Sequence, residues 1–158
     1  MAPAALLALG ACAHATPPPA AAPCPYAQAH DGTQSYEILC TDPIAVHVKV
    51  KHILIGWAAL AAPEHPVDPR AAARTKPQAQ ALARQLLAEL RAGAPIEPLM
   101  ARYSEDPGSA RSGIAYDVSP GAQLVSPFKS LSLRLHPGEA GIVESAFGLH
   151  VIQRVPGP

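Results

Sequence analysis

Apolar and polar residues alternate along IAVHVKVKHILI, residues 44–55, which predicts a β-strand of period two. One face of that strand carries Val46, Val48, Val50, His52 and Leu54, and the other shows His47, Lys49 and Lys51. Residues 57–74 keep no period and read as a long loop. Thr75 then opens a helix as its N-cap, with Pro77 in the first turn, where a missing N–H costs little. Ala79, Leu82, Ala83, Leu86 and Leu90 recur at helical spacing, and Gly93 stands where a glycine ends a helix. A second helix over 95–103 presents Ile96, Leu99, Met100 and Tyr103 to a core. After a turn-rich loop and a one-strand segment at 113–118, Phe128, Leu131 and Leu135 stripe a short helix that starts at Leu124. His136-Pro137-Gly138-Glu139 stops it. The chain closes on a hairpin, 141–145 and 148–155, about Ala146-Phe147. Its last strand puts Leu149, Val151, Gln153 and Val155 on one side, and His150, Ile152 and Arg154 on the other.

Length and charge narrow the picture. The 158 residues hold one domain of ordinary size with a tail, and 12 basic against 12 acidic residues leave no electrostatic case for nucleic acid as a partner. No apolar run approaches the roughly 18–20 residues a membrane-spanning helix needs. Most of the 19 prolines fall outside the helical patterns and mark linkers and turns.

The first 43 residues follow a different logic. The opening apolar run ends in Leu9-Gly10-Ala11-Cys12, which resembles the motif at which bacterial lipoprotein signals are cut before a lipid-bearing cysteine. Acyl chains on Cys12 would supply membrane affinity at about 0.8 kcal/mol per buried CH₂. No Lys or Arg precedes the run and it is short for a signal, so an ordinary Ala/Leu-rich start stays open beside this reading. The Ala/Pro text that follows, ATPPPAAAPCP, has nothing to bury and favours an extended linker. Cys24 and Cys40 flank a polar stretch with an Asp31-Gly32 turn signal, and in an oxidising compartment they form either a disulfide or two unrelated thiols. No CxxC occurs, and His14 and His30 lack ligand spacing, so no metal site is expected. The division is therefore a signal at 1–11, a tether with a candidate disulfide loop at 12–43, and a folded domain at 44–158.

Taken singly, the chemistry-bearing residues of the domain have plain structural readings. A histidine on an apolar strand face is commonly a satisfied core residue. Asp106-Pro107-Gly108 is a turn signal, and Leu124 and Phe128, four apart, are a core pair. Together, their order and spacing resemble the parvulin-type peptidyl-prolyl cis/trans isomerases over residues 48–155. VKHILIGW is similar to the parvulin opening strand, YSEDPGS to the family's YSxDPGS loop, and PGAQLVSPF to its PGQMVxxF element. The resemblance implies an α+β fold, a four-stranded antiparallel sheet surrounded by three to four helices. It implies catalytic positions at His52, Asp106, His150 and Ser145, and a proline pocket lined by Tyr116, Gln123, Leu124, Phe128 and Phe147. No cofactor is implied. The partners implied are unfolded or nascent exported polypeptides with X–Pro bonds, met at the periplasmic face of the outer membrane by a protein anchored through Cys12. A catalytically weak relative that only holds unfolded chains is the alternative.

Two departures stand out. Where phosphate-selecting parvulins carry a basic cluster, residues 57–74 offer Arg70 and Arg74 beside Glu64 and Asp68. Where the family has Gly-Gly-Asp-Leu-Gly and an aromatic, this chain has Gly113-Ile114-Ala115-Tyr116-Asp117-Val118. The loss of two glycines predicts a different backbone path or strain at the pocket rim.

Overall fold

The computed structural model describes Cys24 and residues 32–62 and 66–156. In chain order the elements are α1 (Tyr36–Leu39), β1 (Val48–Ile55), a 3-10 turn (Ala58–Leu60), α2 (Pro69–Ala72), α3 (Lys76–Arg91), α4 (Ile96–Tyr103), β2 (Tyr116–Val118), α5 (Ser126–Ser132), β3 (Ala140–Ser145) and β4 (Gly148–Arg154). The strands form one antiparallel sheet in the order β2-β1-β4-β3.

Both faces of this sheet are covered, and period two divides each strand between them. Ile53 and Ile55 of β1, Leu149 and Val151 of β4 and Ile142 of β3 meet Ala79, Ala83, Leu86 and Leu90 of α3 with Ile96 and Met100 of α4. On the opposite face Val48, Val50, Val118, Val143 and Ile152 meet Phe128 and Leu131 of α5, then Leu133 and Leu135 beyond it. His52 and His150 occupy strand positions on this second face. α3 holds its start through a reciprocal capping box, in which Thr75 accepts from the Gln78 N–H and the Gln78 side chain accepts from the Thr75 N–H.

Strand β1 begins four residues later than its alternation suggests. Its first pair is Val48 with Val118, where β2 ends, and upstream of it Val46 is 78% exposed. Period without a neighbouring strand leaves the ladder bonds unmade. The stretch read as a structureless loop contains the 3-10 turn and the single-turn α2, whose N-cap Asp68 accepts from the Arg70 N–H at 2.8 Å. Leu124 lies ahead of α5 in a turn closed by its N–H to the Ala122 carbonyl, so the Leu124/Phe128 pair is not carried on one helix.

Residues assigned to the tether by composition also take part in the fold. The Ser35 N–H donates to the Ile142 carbonyl, the Ile142 N–H to Ser35 Oγ and the Glu144 N–H to Gln34 Oε1, which covers the outer edge of β3. Tyr36, Ile38 and Leu39 of α1 are buried in the core on the α5 side. A disulfide joins Cys40 to Cys24. Cys12 lies outside the described residues.

Candidate active site

The site is assembled where the loop after α4 crosses the end of β1. The Glu105 N–H donates to the Leu54 carbonyl, and the Leu54 N–H donates to the buried Ser104 hydroxyl at 3.1 Å. The Glu105 carboxylate accepts from the Gly56 N–H at 2.6 Å and from Arg74 at 2.7 Å. Stitched on both sides, the loop delivers Asp106 over His52, with His52 Nε2 3.2 Å from Asp106 Oδ2.

The two histidines meet because of register. Leu54 pairs with His150 and His52 with Ile152, so the imidazoles are diagonal neighbours on one face of two adjacent strands. Their Nδ1 atoms are 3.3 Å apart. His150 Nε2 lies 2.7 Å from Ser145 Oγ, and that oxygen also accepts from the Phe147 N–H across the hairpin turn. Gly148 makes this turn feasible: its φ is +135°, and a Cβ there would come within 2.6 Å of the Ile55 carbonyl oxygen.

With both imidazoles neutral, one proton order satisfies every contact. Ser145 donates to His150 Nε2, His150 Nδ1–H to His52 Nδ1, and His52 Nε2–H to the Asp106 carboxylate. Asp106 is tied further by the Ser109 N–H at 3.0 Å, the Ser109 hydroxyl, the Tyr116 hydroxyl at 2.8 Å and the Gly108 N–H at 3.2 Å. The hydrogen bond from His52, followed by those from Ser109 and Tyr116, holds its carboxyl far below the usual carboxylate range against the opposing cost of burial. Burial pushes the Tyr116 hydroxyl up to about 12, helped by its bond to Asp106. Burial, with His52 alongside, pushes His150 down to about 3. The line of groups is therefore a carboxylate, a neutral ring at His150 and a hydroxyl, locked in orientation.

Above this line lies an apolar depression of about 350 Å³, lined by His52, Leu54, Asp106, Pro107, Tyr116, Gln123, Leu124, Val125, Phe128, Phe147 and His150. Phe128 is its floor, 3% exposed, with ring centroids 5.1 Å from His52 and 5.3 Å from His150 in edge-to-face contact. Tyr116 stands edge-on to His52 at 5.2 Å.

The nine catalytic and pocket positions implied by the resemblance thus converge: eight line the depression and Ser145 backs His150 from beneath. The sequence reading missed Ser109, Leu54, Pro107 and Val125. Ser109 had a signal, since the aspartate of an Asp-Pro-Gly-Ser turn tends to accept from N–H groups two and three residues on. The others carry no local mark, because their place on the rim is set by chain crossings.

Of the two outcomes expected at the rim, a different backbone path or strain, the strain is not seen. Among the described residues none other than glycine has positive φ. Tyr116, Asp117 and Val118 pair in regular register with Val50, Lys49 and Val48. Ile114, 65% exposed, stands clear of the pocket. The regular short strand β2 turns the Tyr116 hydroxyl onto Asp106.

The family model for the PPIC-type PPIASE domain matches residues 36–155. The chain belongs to that family. Its PPIASE domain is similar to the peptidyl-prolyl isomerase ESS1 from Candida albicans, 27% identical over 70% of this chain and 63% of that one, with a TM-score of 0.56. TbPIN1 shares the fold at a TM-score of 0.58 and 23% identity, over 71% of this chain and 99% of that one. The peptidylprolyl isomerase PrsA from Bacillus cereus shares it at 0.51 and 24% identity, over 74% of this chain and 37% of that one. The chain thus spans about a third of PrsA and under two thirds of ESS1. No curated protein matches the chain. The PPIASE match begins at α1, in line with the packing of Tyr36, Ile38 and Leu39 against the sheet.

Proposed function

We propose that this protein isomerises X–Pro bonds in unfolded or nascent exported polypeptides, without covalent chemistry. The observation that carries the proposal is the apolar, Phe128-floored pocket set directly on the hydrogen-bonded line Asp106–His52–His150–Ser145. Rotation about X–Pro is opposed by a barrier of about 18–20 kcal/mol because it sacrifices amide resonance. No bond has to break, so the catalyst must only bind the twisted amide better than either planar form. Twisting withdraws charge from the carbonyl oxygen and leaves the nitrogen more basic. Tyr116, Leu124, Phe128 and Phe147 hold the proline ring where water is excluded, and Gln123 contributes an amide at the rim. Asp106 sets the field at the carbonyl, while His52 and His150, backed by Ser145, keep the pocket floor in one shape.

The address proposed with it rests on the Leu9-Gly10-Ala11-Cys12 motif: anchorage through Cys12 in the cell envelope, on the periplasmic face of an outer membrane. Substituting Cys12→Ser abolishes acyl labelling and releases the protein from membranes on this reading; equal retention of the variant removes the anchor from it.

A protease-coupled or NMR-exchange assay on Xaa-Pro peptides tests the activity. Exchange well above the uncatalysed rate, which runs over tens to hundreds of seconds or so, supports isomerisation. Background exchange together with suppressed aggregation of an unfolded client would make the protein a holdase instead.

A further inference from the structure

Residues 33–44 form a strap that grips two parts of the fold at once. Along its first half the Ser35 N–H donates to the Ile142 carbonyl at 2.8 Å, while the Ile142 and Glu144 N–H groups donate to Ser35 Oγ and Gln34 Oε1, both at 3.0 Å. The fit is close, since a Cβ on Gly141 would come within 3.0 Å of Ser35 Oγ and 3.3 Å of Ile38 Cδ1. Tyr36, Ile38 and Leu39 then enter the cluster that holds Leu131, Leu135 and Phe128, the floor of the apolar pocket. Further on, Arg134 Nε donates to the Thr41 carbonyl at 2.7 Å and the Ile44 N–H to the Leu133 carbonyl at 3.0 Å, so the strap also ties down the C-terminal end of α5. Between the two grips stands Cys40, exposed and bonded to Cys24 across a sequence separation of 16. We propose that the Cys24–Cys40 bond is a redox-sensitive clasp: made, it keeps the strap docked on β3 and α5, and broken, it lets the strap lift and loosens the pocket floor.

The strap has little of its own to hold it in shape. α1 is a single turn of four residues with no side-chain hydrogen bond at its N-cap, too short to persist alone. The strap bonds to the outer edge of β3, so lifting it leaves the β3–β4 and β1–β4 ladders whole. The disulfide closes a ring that contains the strap, and so removes much of the freedom that a lifted strap would gain. Exposure of Cys40 opens the bond to thiol exchange. A dithiol reductant attacks Cys40 Sγ through its thiolate, forms a mixed disulfide and releases the Cys24 thiolate, which takes up a proton. Its second thiol then displaces Cys40, so two electrons and two protons pass to the cysteine pair and the dithiol leaves as a disulfide.

The test is amide hydrogen exchange read by NMR on the full chain, oxidised and then treated with dithiothreitol, beside the double variant Cys24→Ser with Cys40→Ser. The Ile142 and Glu144 N–H groups report on the strap, and Val143, paired with His150, reports on the inner edge of β3. Reduction should speed exchange at Ile142 and Glu144 by about a hundredfold, the scale on which closing a ring of this length acts, and leave Val143 protected. The Phe128 ring signals should shift with it, and reoxidation should restore both. The double variant should match the reduced wild type, and dithiothreitol should change nothing further in it. Unchanged exchange on reduction, equal acceleration at Val143, general unfolding or unmoved Phe128 signals overturn the proposal. A response of the double variant to dithiothreitol overturns it too, by tracing the effect to another group. Activity is a second readout and rests on the isomerase reading: kcat/KM on an Ala-Pro peptide should fall by about threefold or more on reduction and recover on reoxidation. An active protein whose kcat/KM ignores the bond overturns the link to the pocket. Absent turnover in both states overturns the isomerase reading alone, and the clasp is then decided by the exchange and Phe128 signals.

Discussion

The two faces of the sheet are built from the same strands and differ in one respect. On the α3 and α4 side every buried strand position is aliphatic, and Ile53, Ile55, Leu149 and Val151 are almost fully excluded from solvent. On the α5 side the same alternation admits His52 and His150 among Val48, Val50 and Ile152. Burying two imidazoles costs stability unless their nitrogens find partners, and here each does, ending at Asp106 and Ser145. Both faces therefore stabilise the fold, and the α5 face in addition accepts a polar line in its core and carries the candidate site.

The contrast can be broken most directly with one truncation on each face. Leu86→Ala and Phe128→Ala should each cost about 2–5 kcal/mol of stability, since both side chains are buried. Only Phe128→Ala should lower the kcat/KM of the folded protein in the proposed isomerisation, by well over about tenfold, because it removes the pocket floor. Equal activity losses in the two variants, measured by the same peptide assay, would erase the distinction between the faces.

The polar line itself is the next largest effect. His52→Ala leaves Asp106 and His150 without their shared partner, so it should lower both Tm and activity. The double variant with His150→Ala should cost less than the sum of the singles, because the rings act as one hydrogen-bonded unit. Strict additivity in melts and kinetics would show two independent residues.

Acid should weaken the α5 face first. His150 is held neutral in the fold, down to about 3, whereas in the unfolded chain a histidine takes up its proton near about 6.5. The unfolded state therefore binds more protons as pH falls below that value, and stability contributed at neutral pH is lost progressively toward pH 3. Asp106, lowered in the fold, contributes above its ordinary value and loses that contribution as pH falls further. Thermal melts from pH 7 to pH 4 should show Tm falling, and falling less in His150→Phe, where the titrating ring is gone. A Tm independent of pH in the wild type would contradict the buried neutral ring.

The smallest effect expected is that of Asp106→Asn. It keeps the volume and one acceptor oxygen for the Tyr116 and Ser109 donors while deleting the charge, so kcat/KM should fall by less than in Phe128→Ala. Abolished turnover here, with Phe128→Ala near wild type, would replace the pocket mechanism with an acid-driven one.

Much of this was legible along the chain, because period two and helical spacing are local consequences of backbone geometry. The alternation in residues 48–55 and 148–154, the Thr75 cap and the stripe from Ala79 to Leu90 name their elements before any fold is known. Resemblance in order and motif then singled out His52, Asp106, Phe128 and His150. The course of residues 33–39 was not legible: TQSYEIL carries no long period, and its burial depends on the edge of β3 more than a hundred residues away. The same holds for the Tyr116 hydroxyl on Asp106 and for the register that makes His52 and His150 diagonal neighbours. Those contacts join segments distant in sequence, and side-chain spacing within one segment holds no information on which partner strand, or which register, the folded chain places opposite it.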